Sequence, residues 1–483
     1  LAELARLEQA VSDCHCCACP PEATADLTLN PTLQLIPVHW QGLAGLCNGA
    51  ADDALVEPEP GPETILVWKD PTTAMVRIET ASTNALIALK ITAEDLSSQK
   101  VALDNDLRPL DLRRLIRHEV RRGTLIAPVS RLERDPRIVP RDHPWAWPRY
   151  ARANIFTLQW HVTQACDLHC RHCYDRSRRG HMPWPDAMTV LDSLDHFCRS
   201  HHVQGQITFT GGNPLLHPHF TELYREASDR GFILAILGNP CQRETLEGLQ
   251  AIQPLAAYQI SLEGLEPHND WARGRGHFQS SLRFLSLLQE LGISSQVMLT
   301  LTDQNMDQVL PLARELQGRA DRFTFNRLSA VGEGASLCLP TPEAYGSFMT
   351  EYLQACEEMP FLGVKDNVLN SRRWDTNQTV SGGCTGFGCG AAFNFLSLLA
   401  DGEVHACRKF PSRIGHIGEA DLTSIYYSSA ARHYRTGPAE CLDCRVRPVC
   451  GGCLAVSAAA GVDITRDRDP FCLLGPRRPQ SNS

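Results

Sequence analysis

No apolar run in the sequence is long enough to span a bilayer, and the first residues lack the basic segment, apolar stretch and cleavage site of a secretory signal. These absences predict a cytoplasmic protein with no membrane partner. An excess of positive charge is also missing: 46 Lys and Arg stand against 55 Asp and Glu, a formal net charge of -9. That balance argues against a nucleic-acid partner held by a broad basic surface, because such binding rests on cations that neutralise phosphates. The stretch from Arg113 to Arg122 is a local basic face only.

Cysteine, by contrast, is abundant, with 20 among 483 residues. In a reducing compartment, clustered cysteines serve as metal ligands more often than as disulfides. Disulfide frameworks staple small secreted domains that cannot build a core, whereas a chain of this length has room for roughly two to four cored domains.

Residues 1–55 read as an N-terminal extension, with a short helix from Leu1 to about Val11, then Cys14, His15, Cys16, Cys17 and Cys19 and irregular chain. In 56–135, strand-like runs from Thr64 to Lys69 and Ala74 to Glu79 flank the turn residues Asp70 and Pro71. Helical patterns follow from Ser82 to Ile91 and from Leu110 to Arg122, the latter closed by Gly123. This order predicts a small winged-helix unit. Residues 136–150 carry four prolines and no period, as a linker does.

Six strand-like runs occupy 151–335: Phe156 to Val162, Gln206 to Thr210, Phe232 to Leu237, Tyr258 to Leu262, Gln296 to Leu301 and Arg322 to Leu328. Helical candidates between them include Pro185 to Arg199, Leu282 to Leu291 and Met306 to Gln317. The alternation predicts an α/β fold whose parallel sheet curls into a partial (β/α)6 barrel, with its chemistry on the loops after the strands. A bridging region, 336–382, holds a helix near Pro342 to Cys356. Residues 383–483 are rich in Cys and Gly and poor in period, which predicts a small domain held together by metal.

Cys166, Cys170 and Cys173 lie in the run Cys-Asp-Leu-His-Cys-Arg-His-Cys-Tyr, just after the first of the six strand-like runs. Thiolates at this spacing can hold three irons of a cubane cluster and leave the fourth open, whereas zinc usually takes two separated C-x-x-C pairs. The spacing resembles that of the radical S-adenosylmethionine (SAM) superfamily. The resemblance implies a [4Fe-4S] cluster whose open iron binds the amino and carboxylate groups of SAM, and places His172 near the adenine. Thr210-Gly211-Gly212-Asn213-Pro214 resembles the family's Gly-Gly-Glu-Pro motif, which grips the methionyl amino group, with Asn213 in place of Glu. Glycines there let backbone carbonyls approach a ligand. Asn239 stands where that family often has Asn-Gly. Ser261-Leu262-Glu263-Gly264 resembles a Ser-Leu-Asp-Gly run whose Ser contacts the cofactor carboxylate, and Arg273 follows at a familiar distance. The implied cofactor contacts are therefore His172, Gly211, Gly212, Asn213, Pro214, Asn239, Ser261, Glu263 and Arg273.

Towards the end come Cys384, Cys389, Cys407, Cys441, Cys444, Cys450, Cys453 and Cys472, enough thiolates for two more clusters. Their spacing resembles the SPASM extension of radical enzymes that modify peptides, except that Cys450 and Cys453 are separated by two residues where three are common. The resemblance assigns Cys384, Cys389, Cys407 and Cys453 to a nearer auxiliary cluster and Cys441, Cys444, Cys450 and Cys472 to an outer one, making three [4Fe-4S] clusters in all. Structural zinc is the alternative for these thiolates. Cys14, Cys16, Cys17 and Cys19 admit either a metal site or a redox-sensitive surface cluster. Cys47, Cys198, Cys241, Cys338 and Cys356 read as small buried residues, and His201, His202, His217 and His219 as solvated or hydrogen-bonded side chains.

The winged-helix unit resembles the peptide-recognition domain of maturases that act on ribosomally made peptides, which dock a leader as an added strand. A DNA-binding winged helix is its rival. Runs at Thr208 to Leu216, Ile236 to Pro240, Phe323 to Gly334 and Gly382 to Pro411 resemble the selenobiotic-type maturases. What this implies is oxidative modification of a Cys- or selenocysteine-containing precursor peptide by a 5'-deoxyadenosyl radical, with electrons from a flavodoxin- or ferredoxin-type donor. The alternatives are a sulfatase-type side-chain maturase and a zinc-stabilised peptide-binding scaffold.

Overall fold

The computed structural model describes residues 1–47, 57–139 and 149–474, so most of the 136–150 linker lies outside the described residues. The chain divides into two compact units, 1–129 with 229–231, and 130–228 with 232–483.

In the first unit, β1 (Thr28–Leu29) pairs with β5 (Leu125–Ile126), and β2 (Gln34–Gln41), β3 (Glu59–Lys69) and β4 (Val76–Thr80) form a three-stranded antiparallel sheet in that order. The β3–β4 turn is tied by Asp70, whose Oδ1 accepts the N–H groups of Thr72 (2.8 Å) and Thr73 (3.0 Å). Side chains alternate across a strand. Ile65 and Val67 of β3 accordingly pack with Leu7, Ala10 and Cys14 of the helix Ala2–Cys16, while Leu66 and Trp68 pack with Ala85, Ala88 and Leu89 of the helix Thr83–Ala93. Ser82 caps that second helix by accepting from Ala85 N–H at 3.1 Å. The helix Pro109–Arg122 stops at Gly123, whose φ of 82° favours glycine.

Of the stretch read as an irregular extension, the described residues 1–47 belong to the core and sheet of the first unit. The first helix runs to Cys16 instead of about Val11, and β2 was hidden from the sequence reading by Pro37, a residue that an edge strand tolerates.

The second unit is mixed α/β around a parallel sheet. Its strands β6 (Ile155–Thr163), β7 (Gln204–Gly211), β8 (Ile233–Leu237), β9 (Ala257–Ser261), β10 (Ser295–Leu301) and β11 (Arg322–Arg327) lie side by side in chain order, all parallel. Helices such as Trp184–Ser200, Arg243–Ile252, His277–Glu290 and Val309–Leu316 return the chain between them. Phe156, Leu158, Trp160, Ile207, Phe209, Leu234 and Tyr258 fill one continuous core with apolar residues of these helices.

The sheet does not end at β6. β12 (Phe395–Leu398) joins β6 in parallel, and β13 (Glu403–His405) and β14 (Arg413–His416) follow antiparallel, giving nine strands in the order β11-β10-β9-β8-β7-β6-β12-β13-β14. The stretch read as a separate 383–483 domain therefore shares a sheet and a core with the barrel. Among the described residues, no helix is long and apolar enough to cross a membrane.

Candidate active site

A cavity of about 330 Å³ opens at the C-terminal ends of the parallel strands, with Cys166, Cys170 and Cys173 on its wall beside Gly211, Gly212, Asn239, Ser261 and Arg273. The glycine pair has a further job beyond backbone access to a ligand. A Cβ on Gly211 would stand 2.0 Å from the Thr163 carbonyl oxygen, and one on Gly212 would stand 2.1 Å from that of Ala165. Only glycine lets the end of β7 lie directly on the chain that leads into the cysteine loop. Gly212 N–H (to Thr163 O, 3.0 Å) and Asn213 N–H (to Ala165 O, 2.8 Å) hold it there.

Asn213 is buried and does not line the cavity, and Pro214 opens the short helical turn behind it. Asn213 Nδ2 donates to Asp167 Oδ1 at 3.2 Å, and Asn239 Nδ2 donates to the same oxygen at 2.5 Å. Asn239 Nδ2 also lies 3.8 Å from Cys166 Sγ. A glutamate at 213 would bring a second carboxylate against Asp167, so the amide suits this loop.

Glu263 also lies behind the wall. Its Oε1 accepts from Arg273 Nε (2.9 Å) and Nη2 (2.7 Å), and its Oε2 accepts from Thr300 N–H (2.7 Å). Burial pushes this carboxyl up, but His172 and Arg273 beside it bring it below the ordinary carboxylate range. Burial lowers His172, whose Nε2 lies 3.3 Å from Arg273 Nη2 and 3.2 Å from Glu263 Oε1. Arg273 Nη1 ends 3.6 Å from Cys170 Sγ. Glu263 therefore reaches the site through Arg273 and His172, which line the cavity with Ser261.

Tyr174, next to Cys173, shares that wall, and burial pushes its hydroxyl up to about 12. Its ring lies under the Arg408 guanidinium at 5.9 Å.

Cys384, Cys389, Cys407 and Cys453 line a second cavity of about 100 Å³, which shares Asn326, Arg327, Arg408 and Lys409 with the first. Arg327, at the end of β11, donates to Asp366 through Nε (2.6 Å) and Nη2 (3.1 Å), and to Asp469 through Nη1 (2.9 Å) and Nη2 (2.7 Å). Asp469 in turn accepts Cys453 N–H at 2.8 Å. Burial pushes Cys407 up to about 12 and Cys453 to about 11, so both are thiols until a metal takes the proton's place.

Cys441, Cys444, Cys450 and Cys472 lie off this cavity. Cys389 N–H donates to Cys450 O at 2.8 Å and Cys472 N–H to Asp469 O at 2.9 Å, which ties the two cysteine sets together. Among the described residues, no three His, Cys, Asp or Glu side chains stand close enough to share a single metal ion. The inner four thiols surround a void, an arrangement that fits a multi-iron cluster better than one tetrahedral zinc.

In the first unit Cys14 is buried, while Cys16, Cys17 and Cys19 are exposed. Of the cysteines read as small buried residues, Cys198 is buried and Cys338 is exposed. His201 and His217 are engaged in the fold, with Tyr427 (2.8 Å) and the Met182 carbonyl (3.0 Å). Sequence reasoning missed Asp167, Arg327, Asp366 and Asp469. Asp167 stood inside the cysteine motif and could have been found there; the other three carry no local signal.

Thiols and polar groups gathered at the C-terminal ends of parallel strands, with a second thiol set beside them, define a metal-cluster enzyme. Comparison with known proteins makes the class specific: residues 160–316 match the family described as Radical SAM superfamily, and residues 389–453 match SPASM, described as Iron-sulfur cluster-binding domain. The chain is an enzyme that contains a radical SAM domain and an iron-sulfur cluster-binding domain. The first domain implies one [4Fe-4S] cluster and SAM, and the second implies additional cluster binding.

The chain is similar to an AdoMet-dependent heme synthase of Methanosarcina barkeri, 25% identical over 66% of this chain and 96% of that protein. It is also similar to the antilisterial bacteriocin subtilosin biosynthesis protein AlbA of Bacillus subtilis, 24% identical over 62% of this chain and 68% of that one. The fold is shared with Streptococcus suis SuiB bound to precursor peptide SuiA, at a TM-score of 0.54 and 16% identity, over 85% of this chain and 96% of that one.

Proposed function

We propose that this enzyme oxidatively modifies a ribosomally made precursor peptide at or beside a cysteine or selenocysteine, as a maturase of the selenobiotic type. The observation that carries the reading is the pair of cysteine-lined cavities sharing one wall, in a chain that also has a separate unit in which β4 is an edge strand among the described residues. The relatives divide between heme synthases and peptide maturases such as AlbA. We take the peptide side because SuiB bound to precursor peptide SuiA shares the fold over 85% of this chain.

Cys166, Cys170 and Cys173 would hold the SAM-binding cluster, and the eight later cysteines two auxiliary [4Fe-4S] clusters. When bound, the first cluster and SAM supply a 5'-deoxyadenosyl radical that takes hydrogen from a peptide carbon. The chain's own part is positional. Ser261, Asn239 and Arg273 offer hydrogen bonds to the cofactor's polar groups, and Glu263 fixes the Arg273 guanidinium and hence the His172 ring. Tyr174 and Arg408 close the wall towards Cys407. On this reading the first unit is the winged-helix-like recognition domain, and β4, at the edge of the β2-β3-β4 sheet among the described residues, takes the leader peptide as an added strand. A flavodoxin- or ferredoxin-type protein would deliver the electrons.

The test is co-expression with short Cys-rich precursors, followed by mass analysis. A precursor deuterated at the attacked carbon should pass its label into 5'-deoxyadenosine, one label per peptide modified. Label transfer from a tetrapyrrole, with none from any peptide, would overturn the reading in favour of heme-synthase-like chemistry.

A further inference from the structure

Five charged side chains stand with Cys384, Cys389, Cys407 and Cys453 on the walls of the inner cavity: Arg327, Lys365, Asp366, Arg408 and Lys409. Arg327 and Asp366 are paired, and with Asp469 they form a group of one net negative charge. The other three are cations that form no ion pair among the described residues. Arg408 Nη1 meets the Thr210 hydroxyl at 3.2 Å and Lys409 Nζ meets the Arg327 carbonyl at 3.5 Å, both neutral acceptors. Lys365 is half-buried and makes no hydrogen bond among the described residues; burial lowers its pKa, as do Arg408, Lys409 and Arg322, whereas Cys384 favours its charge. Three positive charges against the one negative leave the walls with an excess of two.

Cations drawn out of water call for an anion. The inner cavity is ringed by four cysteines, whose thiolates become that anion once a metal has taken the place of their protons. A [4Fe-4S] cluster on four thiolates carries net negative charge and gains one more on taking an electron. Main-chain N–H groups act in the same sense: that of Lys409 bonds the Cys407 sulfur, and those of Ala391 and Leu454 bond the Cys389 sulfur. Positive charge and hydrogen bonds at the sulfurs both stabilise the reduced, more negative state.

We propose that Lys365, Arg408 and Lys409 raise the reduction potential of the cluster held by the inner cysteines. Arg408 and Lys409 line both cavities, whereas Lys365 lines the inner one and not the first, so Lys365 is the member committed to this task. The inference rests on the cluster assignment and the peptide reading above, and adds a direction for the electron. In a two-electron oxidation of the peptide, one electron leaves with the abstracted hydrogen atom, the second passes to this cluster and the remaining proton goes to solvent water. The three cations favour that second transfer.

An anaerobic redox titration of the cluster-loaded full chain, followed by electron paramagnetic resonance, tests it. The C166A/C170A/C173A background leaves two clusters to observe. K365M should lower one midpoint potential by about 59 mV, a tenfold shift in its one-electron equilibrium, and leave the other unmoved. K365R keeps the charge and should restore the potential. K409M should lower the same potential, and it decides the matter if K365M does not load its clusters.

Loaded variants whose two potentials both stay unmoved overturn the proposal. So does a K365M chain that binds the peptide more weakly at unchanged potentials, which would give the cation to a substrate carboxylate. The two readings fail separately. A background chain that holds about four irons instead of about eight strikes the cluster assignment itself, whereas full loading with unmoved potentials strikes this inference alone.

Discussion

Arg327 and Asp469 stand 142 positions apart in the chain and share two buried hydrogen bonds, of 2.9 and 2.7 Å. With Asp366 on its other side, Arg327 is a guanidinium enclosed by two carboxylates. It joins the last barrel strand to the loop of the outer cysteines. Removing one member of a buried ionic group leaves an unpaired charge, at a cost of about 3–5 kcal/mol. Arg327→Leu should lower the unfolding free energy by that amount in anaerobic denaturant titrations, and Arg327→Lys by less. Asp469→Asn should also loosen the Cys453 loop and lower the iron content.

Cys166, Cys170 and Cys173 share a cavity that none of the later cysteines lines. Anaerobic reconstitution of the native chain should give about twelve irons. Replacing all three residues with Ala should remove about four of them and all SAM cleavage, and leave the rest. Cleavage retained in that variant would falsify the assignment of the open cluster to this motif.

The pairing of Asn213 with Asp167 gives a charge-exchange test. Asn213→Glu sets two carboxylates within hydrogen-bond distance and should weaken SAM binding about tenfold in equilibrium dialysis, through displacement of the loop at Cys166. The double variant D167N/N213E restores an amide–carboxylate pair with the partners exchanged. It should recover most of the affinity, and failure to recover would show that Asp167 acts by its position and not by its pairing.

His277 connects the site to stability. It is 7% exposed, its Nδ1 lies 3.1 Å from Asn269 Nδ2, and burial, with Arg273 adding, pulls its pKa from an ordinary 6.5 to about 4. The unfolded chain takes up a proton near 6.5, whereas the folded chain does so only near 4. Stability should therefore fall as pH drops below about 6.5 and finish falling below about 4, a loss on the order of 3 kcal/mol. His277→Gln should flatten that part of the stability profile.

The barrel was legible in the sequence because β6 to β11 are apolar runs set between helical patterns, and each begins within about two residues of its expected position. The cysteine motifs were legible because spacing alone carries them. What escaped was whatever depends on partners distant in sequence. Asp366 and Asp469 look like any loop acids until Arg327 meets them. β12 is four residues long and gives no sign of its place beside β6. Glu263 resembled a ligand residue, yet the fold turns it inward to hold Arg273.

The pairing of β12 with β6 bears on the order of events during synthesis. Gln159 and Ser397 are adjacent in the sheet but 238 positions apart, so one edge of β6 has no neighbour until nearly the whole barrel has left the ribosome. An unpaired strand edge invites pairing with other chains. Chains that stop before Phe395 would expose that edge beside the motif of Cys166, Cys170 and Cys173. The segment that brings in the later cysteines thus also covers that edge of β6.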